Sequence, residues 1–277
     1  MSRRRAPRAD GQARQNRAEQ LFLHQRHAWD HHLKRHGAGG CSGYSTRPAE
    51  WRVRCPICMK MTTFESLQEE HAPQQSGASL LGSDRCVVLT CSACNGGANL
   101  TYEMQAASPE TSTTHASPLG CPTHGLVLDH SRGDLILIAD ELPLVLTDLK
   151  SAFLVAFATL GYGWSTTAGL RPVRTAIQSG TLPPNGTCSI VKLRDHDGQN
   201  IVMQLSGPSR SILVQAASGI AVQLPCPGSA SLPILDGLAV RTRQWSWPTL
   251  NGSHKQLEVA RRAGNLFHTD FCDGHSW

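Results

Sequence analysis

Near the start of the chain the apolar positions are few and loosely helical. Within Ala18–Leu33, the residues Leu21, Leu23, Trp29 and Leu33 recur close to the 3.6-residue period, which predicts one amphipathic helix on a flexible arm. Gly37–Ser45 is a linker by composition, and a cysteine-bearing unit runs from Trp51 to about Ala107. Ser108–Pro118 is polar, contains proline and reads as a second linker. Two short apolar runs either side of Ser131-Arg-Gly-Asp134 predict a hairpin over Leu126–Asp140. Thr147 and Asp148 can cap a helix running through Leu160 and ended by Gly161, because Leu149, Phe153, Ala156, Phe157 and Leu160 fall on one face. Cys188–Leu193, Asn200–Leu205, Ser211–Ala216 and Ile220–Leu224, parted by Gly, Pro, Asp and Asn, predict a strand series. The second half therefore reads as an α+β unit without a catalytic signature of its own.

The most apolar segment, Leu142–Trp164, is interrupted by Asp148 and Lys150 and reads as a core helix rather than a membrane span. The Arg-rich start is not followed by an apolar run of signal-peptide length, so a cytoplasmic protein is expected. Hydrophobic content of 40% and charge of 17% suit one or two folded domains, while 25 Gly and 16 Pro imply long irregular stretches. Charge changes the picture more. Residues 1–36 hold nine Lys and Arg against three Asp and Glu, a local charge of +6, and the rest of the chain carries −1. Such a block fits an arm drawn to polyanions by counterion release, or else a solvated terminus that aids solubility.

Ten cysteines in an intracellular chain argue for metal rather than disulfides. Cys55-Pro-Ile-Cys58 and Cys91-Ser-Ala-Cys94 are two Cys-x2-Cys pairs separated by 32 residues. Each pair forms a tight knuckle that turns two thiolates toward one ion, and four thiolates close the tetrahedral shell of a structural Zn2+. The gap exceeds the commonest zinc-finger spacing, so a folded insert must occupy it. Two Cys-x2-His pairs, Cys121/His124 and Cys272/His275, lie far apart at domain edges, and His24, His27, His31 and His32 suit a partly charged arm better than a metal-binding face.

Inside the gap lies Glu69-Glu70-His71-Ala-Pro73, and Cys94 is followed at once by Asn95. Together with the two cysteine pairs and the apolar Val87-Val-Leu-Thr90, over residues 51–107, these resemble the HNH nuclease family, in particular small bacterial members whose zinc is held by two such pairs. The later Asp148–Tyr162 resembles the helix that often accompanies them. The resemblance implies a ββα-metal fold, a β-hairpin crossed by a helix around one metal ion, and hydrolysis of phosphodiesters to 5′-phosphate and 3′-hydroxyl ends. It implies His71 as general base, Glu70 as the preceding acidic metal ligand and Asn95 as the last metal-binding position at the helix start. The chemistry of these side chains agrees. Imidazole has the pKa for activating water, and a carboxylate with a neutral amide oxygen suits a hard divalent cation, Mg2+ or Mn2+, completed by water and phosphate. Departures from the family pattern are equally specific. Where its central Asn falls this chain has Cys86, with Asp84 the nearest polar residue; Asn99, one helical turn after Asn95, would replace or assist it. The usual Gly-Gly after His-x-x-Pro is replaced by Gln74–Gly82.

The expected architecture is thus α+β: a basic arm and linker over residues 1–45, an HNH-like zinc-stabilised ββα-metal domain over 46–110, a separate α+β domain over 118–250 and a tail over 251–277. The expected function is that of a metal-dependent endonuclease with Zn2+ on Cys55, Cys58, Cys91 and Cys94. Mg2+ or Mn2+ would bind at Glu70 and Asn95 with Asn99 as a further ligand, and the partner is nucleic acid, DNA first, rather than membrane. The competing expectation is a non-catalytic, zinc-stabilised nucleic-acid-binding module in which the missing central Asn marks lost catalysis.

Overall fold

The computed structural model describes residues 8–36, 51–73, 81, 85–98, 102–103, 126–128, 135–137, 142–184, 187–192, 198–205, 211–226 and 242–246. The elements are α1 (Arg8–Arg35), β1 (Arg52–Arg54), β2 (Met61–Thr63), β3 (Leu67–Ala72), β4 (Cys86–Cys91), α2 (Ser92–Ala98), β5 (Leu126–Leu128), β6 (Leu135–Leu137), α3 (Leu142–Ser165), α4 (Arg171–Ser179), β7 (Ser189–Lys192), β8 (Ile201–Leu205), β9 (Ser211–Gln215), β10 (Ile220–Pro225) and β11 (Thr242–Ser246). Helices mixed with small antiparallel sheets make the fold α+β, the class the residue pattern predicts.

In the first half, β1 and β2 pair antiparallel around the first cysteine knuckle, with Val53 opposite Thr62. Strands β3 and β4 form a second antiparallel pair in which Leu67 faces Cys91, Glu70 faces Val88 and His71 faces Val87. Helix α2 follows β4 without a break, so the second cysteine pair spans the end of a strand and the first turn of a helix. Hairpin followed by helix is the ββα order.

Helix α1 is packed, where the sequence pattern predicts a flexible arm. Its buried stripe is Leu21, Phe22, Gln25, Arg26, Ala28, Trp29 and His32, helically spaced but in part polar. The polar members are buried because they find partners. Gln25 donates from Nε2 to the Leu89 carbonyl at 3.0 Å, and its Oε1 accepts the Leu89 amide at 3.2 Å. That side chain satisfies the edge of β4 turned away from β3, which water or another strand would otherwise claim. Phe22 stacks on Trp51 at 5.1 Å, Trp29 meets Tyr162 edge-on at 4.9 Å, and the Arg54 guanidinium lies 4.7 Å above the Trp29 ring.

Helix α3 is the axis of the core. Its Val145–Ser165 segment is long and apolar enough to cross a membrane, but the most apolar window lies wholly inside the protein, so α3 is a core helix. The break expected at Gly161 is present as a kink, with φ 71° and ψ −160°, a conformation open to glycine alone among common residues. The kink aims Tyr162 back at the first half, where its hydroxyl accepts from Gln25 at 3.1 Å and donates to the Arg54 carbonyl. After the kink, Trp164 Nε1 donates to the Pro225 carbonyl at 3.1 Å and ties α3 to β10.

The hairpin predicted over Leu126–Asp140 is present as β5 and β6, with Leu126 opposite Leu137. The predicted strand series is β7 to β10, joined by β11 in one antiparallel sheet of order β11-β8-β9-β10-β7. Val202, Ile212, Val214, Val222 and Leu224 share the sheet face that joins the same hydrophobic cluster as α3. That cluster also contains Leu21, Phe22 and Trp29 of α1 and Val87, Val88 and Leu89 of β4. The two units that the sequence pattern separates therefore share one core among the described residues, because α3 packs on the β3–β4 hairpin with one face and on the sheet with the other.

His32 gives this core a pH dependence. Burial, with the charges of His36, Arg54 and His31, lowers its pKa to about 4. The unfolded chain binds a proton there near pH 6.5 while the folded chain resists it. Stability from this site is thus complete above pH 6.5 and is lost progressively as pH falls toward 4. Urea unfolding across that range should show a falling midpoint, and the fall should shrink in His32→Phe.

Candidate functional site

The four knuckle cysteines converge. Their sulfur atoms all lie within 4.8 Å of one another, and among the described residues they form the one His, Cys, Asp or Glu cluster with the ligands to hold a metal ion. The Cys58 and Cys91 sulfurs are 3.7 Å apart. A tetrahedron with Zn–S bonds of about 2.3 Å has S···S edges of roughly 3.8 Å, so the spacing fits Zn2+. The backbone prepares this arrangement. Met59 N donates to the Cys55 carbonyl and Cys55 N to the Lys60 carbonyl, both at 3.0 Å, which closes the first knuckle, while the Cys91 amide points at the Cys55 sulfur at 3.5 Å. Hydrogen bonds among the thiols push Cys58 down to about 6 and Cys91 lower, and push Cys55 and Cys94 up. Four sulfurs this close share protons poorly, and a divalent cation in their place satisfies all of them. Helix α4 supports the knuckle, since Gln178 Nε2 donates to the Ile57 carbonyl at 3.3 Å.

His71 and Glu70 are neighbours in sequence but sit on opposite faces of β3, because successive side chains of a strand alternate. The His71 face carries Glu69 two residues earlier and is half-buried. Burial pushes the His71 pKa below its ordinary value, and the charges of Arg17 and Arg85 push the same way, so the imidazole is neutral at pH 7. Arg17 of α1 reaches this face and pairs with Glu69 at 3.2 Å. Asn95 of α2 lies against the same strand, its Nδ2 donating to the Glu69 carbonyl at 3.4 Å. His71, Asn95, Glu69, Arg17 and Arg85 are thus brought together from α1, β3, the foot of β4 and α2.

Glu70 points the other way. Its Oε2 lies 3.0 Å from Lys150 Nζ of α3, and the same ammonium donates to Glu103 Oε1 at 2.7 Å. All three side chains are almost fully buried. Burial raises the pKa of both carboxyl groups, and Lys150 pulls them back down. Glu70 thereby anchors the hairpin to the core helix. The carboxylate on the His71 face is Glu69, which strand alternation identifies once the strand itself is assigned.

Cys86 is buried in β4 opposite Ala72, and burial raises its thiol to about 12. It is an apolar packing residue. Asn99, Asp84, Cys121, His124, Cys272 and His275 lie outside the described residues. Arg17 and Lys150, the partners of Glu69 and Glu70, were not legible beside these residues, since each comes from an element distant in sequence, and Arg85 carries no local motif. No family model, curated protein or solved structure matches the chain. The four-cysteine centre itself is that of a metal-binding module, with Zn2+ the ion its sulfurs suit.

Proposed function

We propose that the protein is a metal-dependent endonuclease of the HNH type, with His71 as general base. The observation that supports this most is a neutral, half-buried His71 on a hairpin whose following helix sets Asn95 against the same strand beside a four-cysteine centre. Zn2+ on Cys55, Cys58, Cys91 and Cys94 holds hairpin and helix in register. His71 takes a proton from the attacking water, and its neutral state at pH 7 makes it ready to do so. Glu69 and Asn95 offer oxygen atoms on the His71 face for Mg2+ or Mn2+, whose remaining positions suit water and phosphate. The ion would neutralise charge on the phosphoryl and leaving oxygens. Glu70, held by Lys150, is structural in this reading.

Cleavage of nucleic acid by the zinc-loaded chain, compared across His71→Ala, Glu69→Gln and Glu70→Gln, tests the assignment. Loss of activity in the first two, with folded Glu70→Gln retaining it, supports the proposal. Activity retained in His71→Ala removes it. The binding-module reading draws on Cys86 in the place of the family's Asn, and it holds if nucleic acid binds and is never cut.

A further inference from the structure

The basic residues of α1 do not all face outward. Arg17 turns toward the hairpin, a quarter to a third exposed like its partner Glu69, and its Nε is buried without a hydrogen-bond partner among the described residues. Arg85 precedes Val87 by two positions, and Val87 is the cross-strand partner of His71, so Arg85 stands on the His71 face. Two guanidinium groups from separate elements thus flank one imidazole, with Glu69 the carboxylate beside them among the described residues. Among the described residues the guanidinium groups outnumber the carboxylate there, and guanidinium forks match the paired oxygens of a phosphate.

We propose that Arg17 and Arg85 hold the phosphodiester at this site, so that the N-terminal helix is part of the nucleic-acid grip rather than a tether. The proposal rests on the nuclease reading and names the residues that would engage its substrate. Arg17 exchanges its pairing with Glu69 for a backbone phosphate, which leaves the Glu69 carboxylate available on the His71 face. Such contacts read no base, so the grip is independent of sequence.

Fluorescence anisotropy with a short labelled DNA duplex tests this, using the zinc-loaded full chain without Mg2+ or Mn2+ over a salt series. Arg17→Gln and Arg85→Gln should each bind several-fold more weakly, with the slope of log affinity against log salt shallower by about one for each phosphate no longer neutralised. Arg17→Lys should recover part of the slope because it keeps the charge. Glu69→Gln should bind more tightly, since it removes the competitor for Arg17. A purely structural role for the Arg17–Glu69 pair would instead weaken binding in both of its variants, and that result overturns the proposal. So does wild-type affinity and slope in Arg17→Gln and Arg85→Gln, or no binding by the wild type. The two readings fail separately. Cleavage by a wild type whose arginine variants bind normally removes the grip alone, whereas the expected binding shifts without cleavage remove the nuclease alone.

Discussion

Zinc removal should unfold more than the cysteine knuckles. Cys91→Ser, or a chelator strong enough to strip the wild type, is expected to abolish the one-to-one zinc content and collapse the cooperative thermal transition. The apparent free energy of a structural Zn2+ site is on the order of 10 kcal/mol, comparable with the whole stability of an ordinary domain. Here the effect spreads, because Val87, Val88 and Leu89 of the hairpin that ends in Cys91 belong to the same cluster as Trp29 of α1 and Phe157 of α3. Cys86→Ala is the matched control. Its thiol is buried in the same strand but lies outside the four-sulfur cluster, so zinc content should stay at one and the midpoint should move little. Equal loss of zinc in Cys86→Ala, or an unchanged melt in Cys91→Ser, would contradict the assignment.

Lys150→Met should be the most damaging substitution in the core away from the metal. It leaves Glu70 and Glu103 buried without their shared cation, and breaking a buried ion pair from one side costs about 3–5 kcal/mol. The loss depends on pH. Burial raises both carboxyl pKa values, and without Lys150 nothing restrains that rise. A raised acid pKa in the folded state contributes stability below the unfolded value of 4.5, which is lost as pH rises through the folded value. Urea unfolding of Lys150→Met should accordingly be near that of the wild type in mild acid and far weaker at neutral pH. Replacing all three groups, as Glu70→Gln/Glu103→Gln/Lys150→Met, should recover much of the loss. A difference under about 1 kcal/mol at neutral pH, the size of a solvent-screened surface pair, would show that the cluster is hydrated.

Several elements were legible in the residue pattern because their signal is local. The cysteine knuckles, the Leu126–Asp140 hairpin, the Gly161 break and the strands β7 to β10 each carry their own turn or spacing chemistry. Helix α1 was legible as a helix but not as packed, because Gln25, Arg26 and His32 occupy three of the seven positions of its buried stripe and only a partner such as Leu89 explains Gln25 there. Helix α4, short and largely polar outside Val173, Ala176 and Ile177, carries too weak a local signal for the same reason. At the site, adjacency misleads. Glu70 beside His71 looks like one acid–base pair, yet a strand sends the two to opposite faces, one toward Lys150 and the other toward Arg17. Those partners lie 80 and 54 positions away, beyond any local reading.

The proposed role of His71, activation of water at a metal-dependent site, is tested most directly on supercoiled plasmid. The zinc-loaded chain is incubated with Mg2+ or Mn2+ beside His71→Ala of equal zinc content and equal thermal midpoint. Nicked or linear product from the wild type, absent in His71→Ala and absent when the divalent ion is withheld, is the expected result. Plasmid that stays supercoiled with the wild type, or is cut equally by His71→Ala, contradicts it.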